Sequence, residues 1–425
     1  MRIIADLQIH SKYARATSKD LSLANLEKYA RIKGLGLLGV GDFQHPLHRK
    51  EIDDYLRDER EGILYSSGGF PFLWQTEVSL MFSQNGKRRA VHLLVFAPSR
   101  DIANKITDYL ASKGRLDYDG RPIFGMSCKQ IVKDLKEIDG NIEIISAHCM
   151  TPWFGLFGSD SGFNSIQECF EEEAKHIYAV ESGMSADPGM LWRFKEISSG
   201  KVNVVSFSDA HSFWPWRIGR EATIFEFDEL SYNNIIKAIR TGEGLIGTIE
   251  TPPEYGKYHW DGHRNCKFSC SPSETKKLNG ICPVCGNKLT IGVDYRVEEI
   301  AHEKQDYKPQ HAKPYHKLLP LHELIALYLG SSLSSKKTWE IYNNFIDRFK
   351  NEFKILLSVS REEMSREFPK EQLLIELIIE NRTGRLKVKP GYDGEYGKVL
   401  MPDIESFALK SSAKDSPSEK QSRLF

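Results

Sequence analysis

The sequence of 425 residues lacks an excess of charge of either sign, because 58 Lys and Arg residues balance 58 Asp and Glu residues. Domains that bind nucleic acid often carry a clear positive excess. The balance therefore excludes a global basic signature, and it leaves room for a local basic patch. The chain is too long for one ordinary hydrophobic core, so we expect about two to four domains.

Long hydrophobic runs are also missing. The sequence has no run of about 18 consecutive apolar residues, which a membrane-spanning helix requires. Its first residues enter a strand pattern at once, without the charged and apolar regions of a secretory signal. We therefore expect no contact with a membrane and a cytoplasmic location.

Cysteine is scarce, with seven residues in the chain. An odd number argues against a disulfide framework and favours a reducing compartment. Four of the seven have metal-ligand spacing, in the order Cys266, Cys270, Cys282 and Cys285. Two thiolate pairs about a dozen residues apart predict one tetrahedral structural Zn²⁺ site. The zinc either only holds a small module together or also shapes a surface that binds DNA.

The first 250 residues do contain a series of short apolar strands separated by helices. Strand-like segments are "MRIIADLQI", "GLLGVGDF", "RAVHLLVFAP", "NIEIISAH" and "VNVVSFSDAH". Continuous apolar strands that alternate with helices predict an α/β fold of parallel units, in a barrel or an open sheet. Further along, the spacing of Trp339, Tyr342, Ile346, Phe349 and Phe353 predicts one face of a helix.

Polar side chains gather at the carboxyl ends of these strands, where β/α barrels carry their chemistry. In "IIADLQIHS", Asp6, Gln8 and His10 would share one face, because positions two apart in a strand point to the same side. Further polar residues at strand ends are Asp42, Glu77, His92, His148, Asp209 and His211. Burying so many carboxylates and imidazoles without a cation would be costly. The set therefore predicts a metal centre.

The ordered motifs "ADLQIHS", "GDF", "HLLVFA", "SAHC" and "FSDAH" resemble the PHP (polymerase and histidinol phosphatase) superfamily over about residues 1–250. The resemblance implies a distorted β/α barrel of PHP type with two or three divalent metals, Zn²⁺, Mg²⁺ or Mn²⁺. The superfamily's His-x-His motif reads Gln8-Ile9-His10 here, and its Asp-His motif reads Asp42-Phe43. An amide oxygen is a poorer transition-metal ligand than an imidazole, so these departures leave the number of metals open.

The PHP-like segment is followed by "YGKYHWDGHRNC", the four cysteines and a mainly helical region. This order resembles the endonuclease Q family of DNA repair enzymes over about residues 1–400. The resemblance implies a catalytic barrel at 1–250, a zinc-binding module at 251–317, a helical C-terminal domain at 318–400 and a flexible tail at 401–425. It implies a nucleoid-associated enzyme that acts on double- or single-stranded DNA.

The family nicks DNA immediately 5′ to hypoxanthine, uracil, xanthine or an abasic site, after flipping the damaged nucleotide out of the duplex. Metal-activated hydroxide would attack the phosphodiester, and two metals about 3.5–4 Å apart can activate it and offset charge at phosphorus. The expected metal ligands are His10, Glu77, His92, His148, Asp209 and His211, and Glu77 would bridge two metals. Asp6 is expected either to ligate a metal or to support a ligand. Catalytic roles are expected for Glu77, His148, Asp209, Asp42 and Asp187. Asp42 either ligates or orients an imidazole, and Asp187 either approaches the site or caps the following helix.

Aromatic and basic residues near the motifs are candidate DNA contacts. Phe72, Trp74, Trp214 and Trp216 suit stacking on an extruded base, although packing within the barrel is a competing use. The candidate phosphate contacts are Lys12, Arg15, Arg217, Arg220, Lys387 and Lys389, and exposed basic residues of this kind are often only solvated. The last residues, "QSRLF", place Gln421 and Leu424 at the spacing of peptides that bind a sliding clamp, but Phe425 is too close to Gln421 to be the usual anchor.

Two other functions remain compatible with the sequence. One is a PHP-type phosphatase that acts on a small phosphate monoester, although such an enzyme needs neither a zinc module nor a long helical region. The other is a non-catalytic DNA-binding scaffold with a degenerate PHP site. The departures at Gln8 and Phe43 favour the scaffold, whereas the intact Glu77, His92 and His148 argue against it.

Overall fold

The computed structural model of the protein describes residues 1–400. Its strands are β1 (Arg2–Asp6), β2 (Leu37–Gly39), β3 (Asp58–Arg60), β4 (Ile63–Tyr65), β5 (Pro71–Leu73), β6 (Gln75–Gln84), β7 (Lys87–Phe96), β8 (Ile123–Phe124), β9 (Glu143–Ser146), β10 (Ala179–Glu181), β11 (Asn203–Val205), β12 (Ala222–Glu226), β13 (Leu245–Glu250), β14 (Asp261–His263), β15 (Phe268–Cys270), β16 (Tyr315–Lys317), β17 (Val388–Lys389) and β18 (Lys398–Val399).

Its α-helices are α1 (Leu23–Lys33), α2 (Pro46–Tyr55), α3 (Arg100–Lys113), α4 (Cys128–Ile138), α5 (Ile166–Phe170), α6 (Pro188–Leu191), α7 (Lys195–Ser198), α8 (Tyr232–Thr241), α9 (Pro272–Lys277), α10 (Val293–Ile300), α11 (Leu321–Leu329), α12 (Lys336–Phe349), α13 (Glu352–Leu357), α14 (Arg361–Glu367) and α15 (Gln372–Arg382). Three short 3₁₀ helices lie at Glu171–His176, Pro253–Tyr255 and Arg264–Cys266.

The N-terminal half forms a distorted barrel from two sheets. In one sheet β2 pairs in parallel with β1 and with β5, and in the other the order runs β6, β7, β9, β10 and β11. Only Trp74 separates β5 from β6, so one chain segment carries the ring from one sheet into the next. A parallel bridge between Ile9 and Ala210 closes the ring. Because β7 alone among the ring strands runs antiparallel to its neighbours, the other strands end at one rim.

The interior of the barrel is apolar below that rim. Buried residues from β1, β2, β5, β7, β9, β10 and β11 form one hydrophobic cluster with Ile235 and Ile239 of α8. A helix with its apolar stripe against the ring buries the surface that drives folding. The α/β prediction of a barrel, a small cysteine module and a mainly helical C-terminal region is confirmed.

The sheet of β1 continues beyond the ring. β12 pairs antiparallel with β1, β13 pairs antiparallel with β12, and β16 pairs in parallel with β13. β16 lies in the segment that was expected to belong wholly to the zinc module. The chain therefore returns to the sheet of the barrel before the helical region begins.

The helical region packs through a face close to the predicted one. Tyr342 and Phe349 of α12 are buried, but Phe345 rather than Ile346 completes the face, and Phe353 belongs to the next helix, α13. The reason is that α12 ends at Phe349, so the 3.6-residue period does not continue to residue 353.

A buried ion pair connects the helical region to the barrel. Lys33 Nζ of α1 lies 2.6 Å from Glu352 Oε1 of α13 and donates to Pro215 O at 2.8 Å. Glu352 also accepts hydrogen bonds from the Leu321 N–H and the Tyr342 hydroxyl. The pair holds the helical region in one position on the barrel, because separating the two side chains would leave a buried charge unpaired.

Within residues 1–400, no helix combines the length and the apolar character needed to cross a membrane.

Candidate metal centre

The rim of the barrel brings together polar residues from six ring strands. Gln8 and His10 follow β1, Asp42 follows β2, Glu77 lies in β6, His92 lies in β7, His148 follows β9, and Asp209 and His211 follow β11. They form two groups in which potential ligand atoms lie within 4.8 Å of one another: Glu77, His92 and His148 in one, and His10, Asp209 and His211 in the other. Residues separated by about 200 positions thus share one site.

In the first group, two imidazoles converge on one carboxylate oxygen. Glu77 Oε1 lies 2.6 Å from His92 Nδ1 and 3.6 Å from His148 Nε2. The two ring nitrogens are themselves 3.2 Å apart. The Thr151 hydroxyl lies 2.9 Å from Nδ1 of His148, which leaves Nε2 facing the carboxylate.

In the second group, His10 is held from both sides. Its Nδ1 lies 3.1 Å from Asp42 Oδ1, and its Nε2 lies 3.1 Å from Asp209 Oδ1. His211 packs against it with ring centroids 4.6 Å apart. Asp42 also accepts the Ser11 N–H at 2.6 Å, so its contacts here are those of a residue that orients an imidazole.

Glu77 connects the two groups. Its Oε2 lies 3.1 Å from His10 Nε2 and accepts a hydrogen bond from Gln8 Nε2 at 2.9 Å. Burial raises the pKa of this carboxyl, but the charge of Arg121 and the hydrogen bonds with His10 and His148 outweigh it and hold the pKa well below its usual value. Glu77 is therefore an ionised carboxylate that faces both groups, the position that a bridging ligand requires.

Two residues that support this site belong to none of the sequence motifs. Arg121, from the loop before β8, brings Nη1 to 3.4 Å from Glu77 Oε1. Glu181 of β10 accepts the backbone N–H of His148. Both lie among ordinary loop or strand residues of the sequence, so only the close approach of distant segments reveals them.

A glycine allows His148 to take its position. Gly183 has φ +67°, and a Cβ atom there would lie 2.7 Å from the Cβ of His148. Any larger residue would therefore be strained in its backbone and would also collide with the histidine.

The residues of the rim fit divalent metal ions. Burial lowers the pKa of His92 to about 4, so its imidazole is neutral, and Glu77 is ionised. These are the protonation states that metal ligands need. Among the described residues, Gln8 Oε1 is buried without a hydrogen-bond partner, and a buried polar atom of this kind implies a missing partner. The identity of the metal does not follow from this donor set of nitrogen and oxygen atoms.

Two residues predicted for this site lie outside the two ligand groups. Asp6 accepts hydrogen bonds from the N–H and hydroxyl of Ser208 and from the N–H of Gly219. β1 ends at Asp6, so the alternation that was to align it with His10 does not continue. Asp187 caps α6 by accepting the Met190 N–H and pairs with Lys317 at 2.7 Å. Of the two roles open to Asp187, the structure shows the cap.

The cysteine module contains a third potential metal-binding group, with one change from the prediction. His263, Cys266, Cys282 and Cys285 place their ligand atoms within 4.8 Å of one another. Cys270 lies outside this set, and its Sγ contacts Thr275 Oγ1 at 3.2 Å. In the β14–β15 hairpin, His263 pairs with Phe268 whereas Cys270 pairs with Asp261. Cys270 is therefore two residue pairs along the ladder from His263, a distance of about 6–7 Å.

A signal for His263 was present in the sequence. "HRNC" and "CPVC" both separate two ligands by two residues, a regular spacing for structural zinc sites. Cys270 breaks this regularity, because three residues separate it from Cys266.

The aromatic candidates for base stacking are packing residues in this structure. Phe72 and Trp74 are fully buried, and Trp74 Nε1 donates to Glu59. Trp214 and Trp216 are half-buried and stack on each other at 5.4 Å, and both contact Trp339 of α12. Of the two uses open to Phe72 and Trp74, the structure shows packing, because both lie in the core where β5 leads into β6.

An exposed aromatic residue lies instead on the loop after His148. Trp153 is 41% exposed and meets Tyr258 edge to face at 5.5 Å. Its neighbour Phe154 stacks on His92 with ring centroids 4.4 Å apart. This loop therefore carries aromatic surface to the edge of the metal centre.

The basic candidates divide into paired and exposed residues. Lys12 pairs with Glu51 at 2.7 Å, and Arg15, largely exposed, pairs with Asp119 at 3.1 Å. Arg217 lies 3.8 Å from Glu323, and Arg220 donates to Ser208 O at 3.0 Å. Lys387 and Lys389 are exposed near and on β17. The predicted clamp-binding residues Gln421, Leu424 and Phe425 lie outside the described residues.

Known proteins resemble the chain along most of its length. Residues 320–384 match the model of the MJ0043 C-terminal domain family. The uncharacterized protein MJ0043 of Methanocaldococcus jannaschii is 35% identical over 257 residues, which are 59% of this chain and 31% of that protein. The chain thus spans about a third of the length of this relative.

Two solved structures match nearly the whole chain. The lesion-specific endonuclease PfuEndoQ from Pyrococcus furiosus is 28% identical, with a TM-score of 0.84, and the match covers 98% of this chain and 100% of that one. Endonuclease Q in complex with a 27-mer duplex substrate, with an abasic lesion at the active site, is 30% identical with a TM-score of 0.84. That match covers 95% of this chain and 97% of the other.

Proposed function

The chain belongs to the endonuclease Q family, and from this premise we propose that it is a lesion-specific DNA endonuclease. It would hydrolyse the phosphodiester 5′ to hypoxanthine, uracil, xanthine or an abasic site. The observation that carries the proposal is the meeting of two ligand groups at Glu77, because two-metal phosphodiester hydrolysis needs adjacent ligand sets. The likeness to a family member bound to a duplex with an abasic lesion supports DNA as the substrate.

Each ligand group would hold one divalent ion, Zn²⁺, Mg²⁺ or Mn²⁺. Glu77, His92 and His148 would hold the first, and His10, Asp209 and His211 the second. When bound, such ions lower the pKa of water and offset the charge that develops on phosphate oxygens.

The surrounding residues fix these side chains in place. Asp42 holds Nδ1 of His10, which directs Nε2 toward Asp209 and Glu77. Gln8 donates to Glu77 Oε2, the carboxylate oxygen that also faces His10. The glutamine that replaces the expected histidine therefore has a positioning contact, which argues against a degenerate site. Outer contacts of this kind typically contribute about 10–100-fold to metal affinity or activity.

Arg121 would act on the phosphate itself. Its guanidinium is partly exposed and lies beside Glu77, where an incoming phosphodiester would displace part of that contact. A guanidinium presents five N–H donors in a planar arrangement that matches phosphate oxygens. It would therefore bind and orient the phosphodiester that is cleaved.

Trp153 is the residue we assign to the flipped base, in place of Phe72 and Trp74. Its indole is exposed and follows His148 by only five positions in the chain. Stacking on an aromatic ring contributes about 1–3 kcal/mol per base and tolerates different bases. This tolerance suits an enzyme that accepts several kinds of lesion.

The cysteine module would hold one structural Zn²⁺ through His263, Cys266, Cys282 and Cys285. A set of three thiolates and one imidazole is a common closed zinc site. The ion would fix the β14–β15 hairpin to the loop that carries "CPVC".

A nicking assay tests the proposal. End-labelled duplexes with one deoxyinosine, one deoxyuridine, one abasic site or no lesion would be incubated with Mg²⁺, Mn²⁺ or Zn²⁺ and resolved on denaturing gels. We expect a cut 5′ to the lesion that Asp209→Ala abolishes. The matched control is Asp101→Ala, which removes an exposed aspartate paired with Lys105 on α3 and should leave cleavage unchanged.

The same samples separate the alternatives. Rapid turnover of small phosphate monoesters, without DNA binding, would replace the endonuclease with a phosphatase. Binding of lesion DNA that no metal converts into cleavage would establish a scaffold.

A further inference from the structure

Three cations surround the phenol of Tyr396 at the surface of the protein. Lys257 Nζ lies 4.7 Å from the centre of the Tyr396 ring, and the Arg217 guanidinium lies 6.0 Å from it. The charge of the Arg220 guanidinium also lowers the pKa of the Tyr396 phenol. We call Arg217, Arg220, Lys257 and Tyr396 the Tyr396 cluster.

Three distant segments of the chain assemble this cluster. Arg217 and Arg220 follow β11, Lys257 precedes β14, and Tyr396 lies between β17 and β18. Two backbone hydrogen bonds hold the loop between β17 and β18 to the residues that precede β14. The N–H of Gly394 donates to Lys257 O, and the N–H of Gly397 donates to Tyr255 O, both at 3.0 Å. The arrangement is therefore built by the fold and is not a chance grouping on one flexible loop.

The positive charge of the cluster is poorly balanced. Among residues 1–400, Glu323 lies 3.8 Å from Arg217, and Arg220 also interacts with the carboxyl of Glu221. Burial raises the pKa of both carboxyls. Glu395 precedes Tyr396 in the chain, but its charge acts on Tyr392. Although burial alone would raise the pKa of Tyr396, the three cations lower it. Three cations around one ring, beside carboxyls whose pKa burial raises, form a site that favours an anion.

The cluster borders both halves of the metal centre. Arg220 donates to Ser208 O, and Ser208 directly precedes Asp209 of the second ligand group. Next to Lys257, Tyr258 contacts Trp153, on the loop that follows His148. A DNA phosphate bound in the cluster would therefore belong to a DNA strand that also passes the metal centre.

We propose that the Tyr396 cluster binds one backbone phosphate of the DNA strand that is cleaved, close to the phosphodiester at the metal centre. The proposal rests on the proposed function and adds a specific contact to it. Arginine, lysine and tyrosine all donate hydrogen bonds to phosphate oxygens, and such contacts fix the register of the duplex without reading its sequence. A free phosphate ion has the same chemistry, so the test must separate it from DNA.

The experiment replaces single phosphates of the duplex with neutral methylphosphonates and measures affinity by fluorescence anisotropy. The full chain carries Asp209→Ala, so that cleavage does not enter the measurement. In this background we expect one linkage near the lesion at which neutralisation weakens binding about tenfold. With Lys257→Gln added, binding to the normal duplex should be weaker and that linkage should lose most of its effect. The slope of log affinity against log salt should fall by about 0.9, as for one lost phosphate contact.

Lys133→Gln is the matched control, because Lys133 is exposed on α4 and pairs only weakly with Glu137, at 3.9 Å. It should leave both the sensitive linkage and the salt slope unchanged. Equal sensitivity of the Lys257→Gln and parent proteins at every linkage would overturn the proposal.

A titration with inorganic phosphate distinguishes binding of a free phosphate ion from binding of a DNA phosphate. If titration calorimetry shows millimolar inorganic phosphate binding to the parent but not to the Lys257→Gln protein, and no linkage is sensitive, the cluster binds free phosphate and the DNA contact is refuted. These binding results do not depend on cleavage, so failure of the nicking assay and failure of the Tyr396 cluster are distinguishable.

Discussion

Replacing His263 with alanine tests which residues hold the zinc ion of the cysteine module. The structure groups His263 with three cysteines and leaves Cys270 outside. Structural zinc sites with four ligands have binding free energies of about 10–16 kcal/mol at neutral pH. If the ligands contribute equally, losing one costs about 2.5–4 kcal/mol, or roughly two to three orders of magnitude in zinc affinity.

Cys270→Ser is the matched comparison. Its thiol contacts the Thr275 hydroxyl, and a serine hydroxyl can replace that contact at nearly the same size. We expect zinc affinity to stay within about threefold of the parent, because no ligand is lost.

Competition with a chromophoric chelator measures zinc affinity, and elemental analysis gives the number of ions per chain. The measurement does not require activity, so it remains informative even if the endonuclease proposal fails. Loss of zinc from Cys270→Ser, with zinc retained by His263→Ala, would refute the ligand set and restore the four-cysteine prediction.

Three further variants test the site and the fold. Glu77→Gln should lower the single-turnover nicking rate more than about a hundredfold, since even residues that only position a ligand contribute 10–100-fold; a nearly normal rate would exclude a bridging role. Lys33→Met should lower the free energy of unfolding in denaturant by about 3–5 kcal/mol, because the Glu352 carboxylate stays buried without its partner, and adding Glu352→Gln should recover part of the loss. Burial raises the pKa of Glu221 from 4.5 to about 8, so its contribution to stability is full below about pH 4.5 and is lost as the pH rises through 8. Glu221→Gln should therefore show a smaller fall in stability between pH 5 and 8 than the parent, and equal falls would contradict this assignment.

The composition of the site was largely predictable because the rim of a barrel gathers strand ends. Once the strands are recognised, His10, Glu77, His92 and His148 must meet, whatever their separation in the sequence. The structure groups them with no change of identity. What the pattern could not give is the division into two ligand groups, which depends on side-chain directions at the rim.

Sequence patterns gave the wrong position or left the position open where they depend on how a strand ends or pairs. Asp6 was aligned with His10 by a strand period of two, but β1 ends at Asp6. The position of Trp74 close to Glu77 in the sequence is compatible with both stacking and packing, and burial between β5 and β6 shows packing. The spacing of the four cysteines predicts Cys270 as a ligand, but hairpin pairing places it away from His263.

The backbone at the rim gives a physical reason why these residues need the whole barrel. Asp42, His148 and Asp209 have φ values of 34°, 31° and 50°, in the left-handed region that non-glycine residues rarely adopt. Each such residue costs about 1–3 kcal/mol, and it persists only when surrounding structure determines it. Here the Asp42 carboxylate holds the Ser11 N–H, and the His148 N–H donates to Glu181. The strain recurs at three strand ends of the metal centre, so it accompanies the turning of side chains toward the site. Local sequence preference would oppose this geometry at each position, and only the closed ring of strands can impose it.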